Sequence, residues 1–277
     1  MSALTRPQEM RDSLAKNGYA VAASAFSRDD MAQLKRVLDR FHSAWLADNA
    51  DFYKARAVNS AYLTAPRYLN RSDRLALFRF IAQEPLVHLA ETLMGTPAAF
   101  LNTQLFFDPA DPERKNYWHR DIQYSGLSAL EQQAQLPLDQ GFHVRIALKP
   151  ERGIELIPGT HLRWDTQREF DTRTSQNGKQ PHHALPGSKA ISLDTGDMLV
   201  FSANTIHRGL YGKDRMAFDI LYCTPDSPHL VHSTQPNCMP DSDMMQALGN
   251  PPLYQHSLAG ISKSPQTPEN APEEAPE

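Results

Sequence analysis

Beyond Gly95 the apolar residues of this chain fall into short runs, at residues 98–107, 140–148, 153–157, 190–193, 198–201 and 216–222. Pro, Gly and Asp punctuate them, in Pro150-Glu-Arg-Gly153, Pro158-Gly159, Thr195-Gly-Asp197 and Gly212-Lys-Asp214. Several short strands separated by turn signals predict an antiparallel sandwich or barrel and argue against a βαβ protein. Ahead of Gly95 the pattern is helical. Ser27 can cap a helix whose Met31, Leu34, Val37, Leu38 and Phe41 recur at three and four, running to about Leu46. A second helical region spans about residues 73–94, broken near Pro85 and closed by Gly95. The expected class is mainly β with N-terminal helices.

At 277 residues, a divisor of about 150 gives a soft expectation of nearly two domains, although large β-barrels run as one. One domain is expected over 1–261: a helical part at about 1–95, a β core at about 96–225 and a C-terminal extension at 226–261. Residues 262–277 hold four Pro and four Glu with no aromatic or large aliphatic residue, and read as a disordered tail. Residues 163–186 read as a long polar surface excursion. A formal charge of −4, most of it in the tail, supplies no electrostatic reason to expect nucleic acid or an anionic membrane as partner. The N-terminus lacks the build of a signal peptide, and no stretch approaches the roughly 18 apolar residues of a membrane helix, so a soluble cytoplasmic protein is expected. The oligomeric state is not legible.

Two cysteines, Cys223 and Cys238, cannot build a disulfide framework and are expected to be inert, whereas there are eleven histidines. The sharpest motif is Trp118-His119-Arg120-Asp121. On an extended strand His119 and Asp121 share a face while Arg120 points away. His207, after the turn Gly196-Asp197 and the run 198–201, is the best third ligand. Two His and one carboxylate form the facial triad of mononuclear iron(II) oxygenases, which leaves positions open for co-substrate and O2. Eight positions on, Arg215 opens a β-like run; inside a barrel it would need an anion, and outside one it would form a surface ion pair with Asp214 or Asp219. G-x-S-x-G, P-loop, G-x-G-x-x-G and H-E-x-x-H patterns do not occur, which leaves hydrolase, nucleotide and zincin readings without support.

These motifs together resemble the phytanoyl-CoA dioxygenase family. Asn17-Gly-Tyr-Ala-Val-Ala with Phe26-Ser27 is similar to its opening segment, Trp118–Asp121 to its His-x-Asp strand, and Gly153-Ile-Glu-Leu-Ile-Pro-Gly-Thr-His161 to its Pro-Gly segment. Gly196–Phe201 with His207 resembles its distal histidine strand, and Arg215 stands where its oxoglutarate arginine is expected. The resemblance implies a double-stranded β-helix (a jelly roll, cupin-like). It further implies Fe(II) on His119, Asp121 and His207, with 2-oxoglutarate and O2 as co-substrates and Arg215 holding the oxoglutarate; because position 209 is Gly, Gln104 or a threonine would have to assist. The implied reaction oxidises a C–H of a small organic molecule and yields succinate and CO2. A carboxylate at Asp121 sets aside the family's halogenases, so hydroxylation or a related oxidation is expected.

Two positions depart from the family. Gly209 stands where a hydroxyl residue often helps hold oxoglutarate. The strand before the Pro-Gly segment carries His143 and Arg145 on one face: if that face lines the barrel they can bind an acidic substrate, and if it meets solvent they are bland. Tyr124 packs by the metal strand or contacts substrate, and His161, His182 and His183 are expected to be structural or solvent-facing. Two other readings stay open, a jelly-roll protein that binds a small acidic ligand, and a cupin-type metalloenzyme that needs no oxoglutarate.

Overall fold

The structure, a computed structural model, describes residues 6–137, 141–232 and 235–262. The front half is helical: α1 (Pro7–Asn17), α2 (Arg28–Asp48), α3 (Ala50–Ala55), α4 (Arg71–Ile81) and α5 (Glu84–Met94), with strand β1 (Tyr19–Ala22) after α1 and β2 (Asn59–Ala61) after α3. Ser27 caps α2 by accepting from the Asp30 N–H, and Met31, Leu34, Val37, Leu38 and Phe41 form its buried face as expected. The second helical region divides where expected, because Pro85 suits the first turn of a new helix and no interior position of an old one. Helix α1 was not anticipated; Met10 is its one buried residue, so it carries almost no apolar stripe to read.

All six expected β runs are strands: β3 (Ala99–Phe107), β4 (Phe142–Ala147), β5 (Glu151–Leu156), β6 (Lys189–Leu193), β7 (Met198–Ser202) and, after the short β8 (His207–Gly209), β9 (Met216–Cys223). The first residue of the run expected at 140–148 lies outside the described residues. Pairing is antiparallel throughout, in one sheet ordered β1-β7-β4-β9-β3-β2 and a second ordered β6-β5-β8. Phe142, Val144 and Ile146 on one face of β4 join Val200, Phe218 and Ile220 against the helices. The opposite face of the large sheet, through Ala147, Leu199 and Phe201, packs on Ile154, Leu156, Ile191 and Leu193 of the small sheet. Two antiparallel sheets thus face each other in a jelly-roll arrangement without closing into a barrel, and the helices cover the outer face of the larger one.

Gly153 (φ 78°) lies at the irregularity in β5 between Glu151 and Ile154. A Cβ there would lie 1.7 Å from the Ile191 carbonyl oxygen, so only glycine lets β6 pair across the bulge.

Residues 163–186 are not simply a surface excursion. They contain α7 (Gln167–Arg173), preceded by α6 (Ala129–Gln135) earlier in the chain, and Thr166 and Glu169 form a capping box at the start of α7. Glu169, Asp171, Thr172 and Arg173 are buried, so the polar composition reflects paired internal charges, not exposure. Past β9, α8 (His229–His232), α9 (Ser242–Ala247) and α10 (Pro252–Ile261) return to the core. Ser257 donates to and accepts from the Phe100 backbone at 2.8 Å, and the Tyr254 hydroxyl donates to the Phe78 carbonyl at 2.7 Å. The tail from residue 263 lies outside the described residues. Among those described, no helix is long and apolar enough to cross a membrane.

Candidate metal centre

His119 and His207 face each other in a single antiparallel bridge, each N–H donating to the other's carbonyl at 2.9 and 3.0 Å. The expectation that His119 to Asp121 continues as a strand is corrected here. Asp121 opens a 3-10 turn to Tyr124, and its N–H donates to the Ala203 carbonyl. Turning, not alternation, brings the carboxylate back beside the histidines. Asp121 Oδ1 lies 3.6 Å from His119 Nε2 and 3.7 Å from His207 Nε2, and one ligand atom from each residue falls within 4.8 Å of the others.

The tautomers suit a metal. His119 Nδ1 lies 3.3 Å from the Tyr117 carbonyl and His207 Nδ1 lies 2.9 Å from that of Thr205. A carbonyl only accepts, so Nδ1 carries the proton and Nε2 presents a lone pair. Burial, then the neighbouring His207, lowers His119 to about 3, and burial lowers His207 too. Burial would raise the Asp121 carboxyl, yet the surrounding imidazoles, His207 first, hold it below the usual range. Neutral imidazoles and an ionised carboxylate are the donor set that a divalent ion of intermediate hardness requires, and iron(II) fits it.

Behind Asp121, His143 Nε2 lies 2.8 Å from Oδ2, and its Nδ1 lies 3.2 Å from Asp219 Oδ2. Both partners are acceptors, so this ring donates from both nitrogens. Burial would lower its pKa; the hydrogen bonds and charges of Asp121 and Asp219 outweigh that and raise it to about 9. Arg145 follows, donating to Asp219 Oδ1 at 3.0 Å and in a two-pronged pair to Glu151 at 2.8 and 2.9 Å. The face of His143 and Arg145 is therefore interior. The expected substrate contacts are nonetheless corrected: Arg145 is wholly buried with its fork closed on two carboxylates, and His143 turns its two nitrogens to Asp121 and Asp219. The sequence does not single out Glu151, and it offers Asp219 only as a surface partner of Arg215, although an acid inside the apolar run 216–222 is itself a signal of a buried partner.

Arg215 is 4% exposed. It does not pair with Asp214, which meets Lys149 at 2.6 Å. Among the described residues its Nε finds no hydrogen-bond acceptor, and the nearest carboxylate oxygen is Glu151 Oε2 at 3.4 Å. The rings of Phe106 and Tyr211 lie 5.2 and 5.8 Å from Cζ, and both terminal nitrogens lie over Gly209, 2.8 Å from where a Cβ would stand. A buried cation whose nearby carboxylate, Glu151, is already shared with Arg145, walled by aromatic rings above a bare backbone, has the chemistry to receive an anion. Gln104 pairs in register with Asp219, which pairs with Arg145, so the three occupy one interior row across β3, β9 and β4. Tyr124 is 38% exposed with its ring 5.7 Å from that of His119, on which Tyr117 also packs, at 5.3 Å.

Arg120, between two of the candidate ligands, points away from them, as a strand alternation predicts, but into the interior. It is fully buried and donates to Asp165 and to the carbonyls of Thr160, Asn204 and Arg163. His161 donates to the Ala15 carbonyl, tying its turn to α1, and the His183 carbonyl accepts from the Trp118 indole. Cys223 and Cys238 are buried and form no disulfide with each other.

Comparison with known proteins accords with this geometry. A family model described as phytanoyl-CoA dioxygenase matches residues 14–213. No curated protein matches significantly. AviO1 from Streptomyces viridochromogenes superposes with a TM-score of 0.56 at 18% identity, over 80% of this chain and 96% of that one. SnoK, described as a non-heme alpha-ketoglutarate-dependent carbocyclase from nogalamycin biosynthesis, gives 0.54 at 16% identity over 82% and 87%. EctD from S. alaskensis, crystallised with 2-oxoglutarate and 5-hydroxyectoine, gives 0.54 at 17% over 78% and 75%. At these identities the likeness is one of fold.

Proposed function

The chain belongs to the phytanoyl-CoA dioxygenase family, and on that premise we propose that it is an iron(II)- and 2-oxoglutarate-dependent oxygenase acting on a small organic molecule. The observation that carries the reading is the convergence of His119, Asp121 and His207. Iron(II) held there with 2-oxoglutarate and O2 would supply oxidative decarboxylation to succinate and CO2, coupled to oxidation of a substrate C–H.

The chain's own work is binding, orientation and exclusion of water. The two Nδ1–H bonds to Tyr117 and Thr205 aim the imidazoles. Arg215 holds the distal carboxylate of oxoglutarate by charge-assisted hydrogen bonds, with Gln104 on the same interior face as Asp219 beside it. Tyr124, exposed and next to His119, is placed to meet substrate. Fold neighbours described as a carbocyclase and an epimerase, beside one crystallised with 5-hydroxyectoine, mean that fold does not choose the outcome. The carboxylate at Asp121 sets aside halogenation and leaves hydroxylation or a related oxidation as the outcome to test.

The experiment is anaerobic addition of Fe(II) and then 2-oxoglutarate to the full chain, followed by succinate release in air across a substrate panel. A weak visible charge-transfer band should form in the native protein and be lost in His119→Ala and Asp121→Ala, together with oxoglutarate-dependent turnover. Retained turnover in either variant would sink the assignment. Metal binding with no band on adding oxoglutarate would favour a cupin-type enzyme, and no metal binding a small-ligand-binding protein.

A further inference from the structure

The two oxygens of Asp121 have different surroundings. Oδ1 faces both histidines, at 3.6 and 3.7 Å, whereas Oδ2 lies 2.8 Å from His143 Nε2. A free carboxylate can turn about its last torsion and offer a metal one oxygen or both. This one cannot turn without breaking the bond to His143, and His143 is itself fixed. Its ring lies flat on Phe201, with centroids 4.7 Å apart and planes 18° apart, and its Nδ1 meets Asp219. Asp219 is held by Arg145, and Arg145 is locked in its two-pronged pair with Glu151. All four residues behind Asp121 are buried.

We propose that His143 is a positioning residue of the metal centre. It holds Asp121 as a ligand through Oδ1 alone, and the Asp219–Arg145–Glu151 pairs hold His143. The proposal rests on the metal-site reading above. Its consequence is an open coordination sphere: a second oxygen from Asp121 would occupy a position that co-substrate or O2 needs. The same anchor reaches further, because Glu151 also lies 3.4 Å from Arg215 Nε. One buried set of pairs thus stands behind both the metal carboxylate and the anion-binding arginine.

The test is anaerobic Co(II) titration of the full-length protein, read by affinity and by the visible ligand-field bands, with circular dichroism to verify folding. His143→Leu should weaken Co(II) binding about ten- to a hundredfold and shift the bands as Oδ2 joins the metal. His143→Gln, which restores a donor toward Oδ2, should recover most of the affinity and the native bands. A loss of packing alone would not be mended by the amide. Asp219→Asn, which touches no ligand, should weaken binding by a smaller factor in the same direction. Unchanged affinity and bands in His143→Leu overturn the proposal; should that variant not fold, the same result in Asp219→Asn overturns it. Asp121→Ala separates the two readings. If it abolishes Co(II) binding while His143→Leu leaves it intact, only the positioning role fails. If Asp121→Ala binds as tightly as the native protein, the metal site itself fails.

Discussion

The guanidinium of Arg120 and the carboxylate of Asp165 meet at 2.8 Å with neither side chain reached by solvent. Arg120 separates two candidate ligands in sequence, and Asp165 also receives Arg173 at 2.5 Å from α7. The ligand-bearing segment is therefore pinned to the stretch at 160–173 and to the Asn204 carbonyl.

Arg120→Met should leave Asp165 with one cation fewer and three backbone carbonyls without this donor. Removing one partner of a buried pair costs about 3–5 kcal/mol, more than a surface pair could. Urea denaturation should show that loss, and metal affinity should fall with it because both ligands share the segment. A loss under about 1 kcal/mol would mean that water or neighbouring donors replace the guanidinium.

Gly209→Ala places a methyl 2.8 Å from both terminal nitrogens of Arg215, closer than a Cβ tolerates. The arginine must shift, since the glycine backbone is held in β8 against Ile154 of β5. The expected result is an oxoglutarate affinity weakened about tenfold, roughly 1.4 kcal/mol, with Fe(II) affinity unchanged. Arg215→Met should weaken oxoglutarate more strongly still. Calorimetric titration of each ligand separately checks both, and an unaltered oxoglutarate affinity in Arg215→Met would remove the arginine from the proposed site.

His42 on α2 has a buried Nδ1 that meets no hydrogen-bond partner among the described residues, and its ring packs 4.7 Å from that of Phe107. Burial lowers its pKa from 6.5; Asp39 opposes this and Lys149 adds to it. For a base whose folded pKa is depressed, the unfolded chain takes up the proton first as pH falls below about 6.5, so stability is lost on that side. His42→Phe should flatten this fall. Urea midpoints at pH 8 and pH 5 should differ less in the variant than in the native protein; an equal difference would clear His42 of the effect.

Much of the fold is legible in the sequence. The strand runs at 98–107, 153–157, 190–193, 198–201 and 216–222 all form strands, because residues that can sit in a pleated sheet between turns were bounded by Pro, Gly and Asp. The capped stripe of α2 is equally plain. Helix α1 and the buried charges of α7 were not, since neither presents an apolar stripe. The three candidate ligands were identifiable by residue type and spacing. The local geometry of Asp121 was not, because a 3-10 turn and a strand accept the same residues there.

What the sequence determined by itself was most of the strands, the capped stripe of α2 and the candidate donor residues: short-range properties, carried by periodicity, caps and the chemistry of His, Asp and Arg. What only the tertiary structure decided was which groups those side chains meet. Every residue of β4 is buried, so alternation along it offers no solvent face to read, and His143 and Arg145 stood undecided between a substrate pocket and the surface. They belong to neither. Asp219 comes from β9 beside them and Glu151 from β5 across the interior, and a buried charge is stable only where such partners converge.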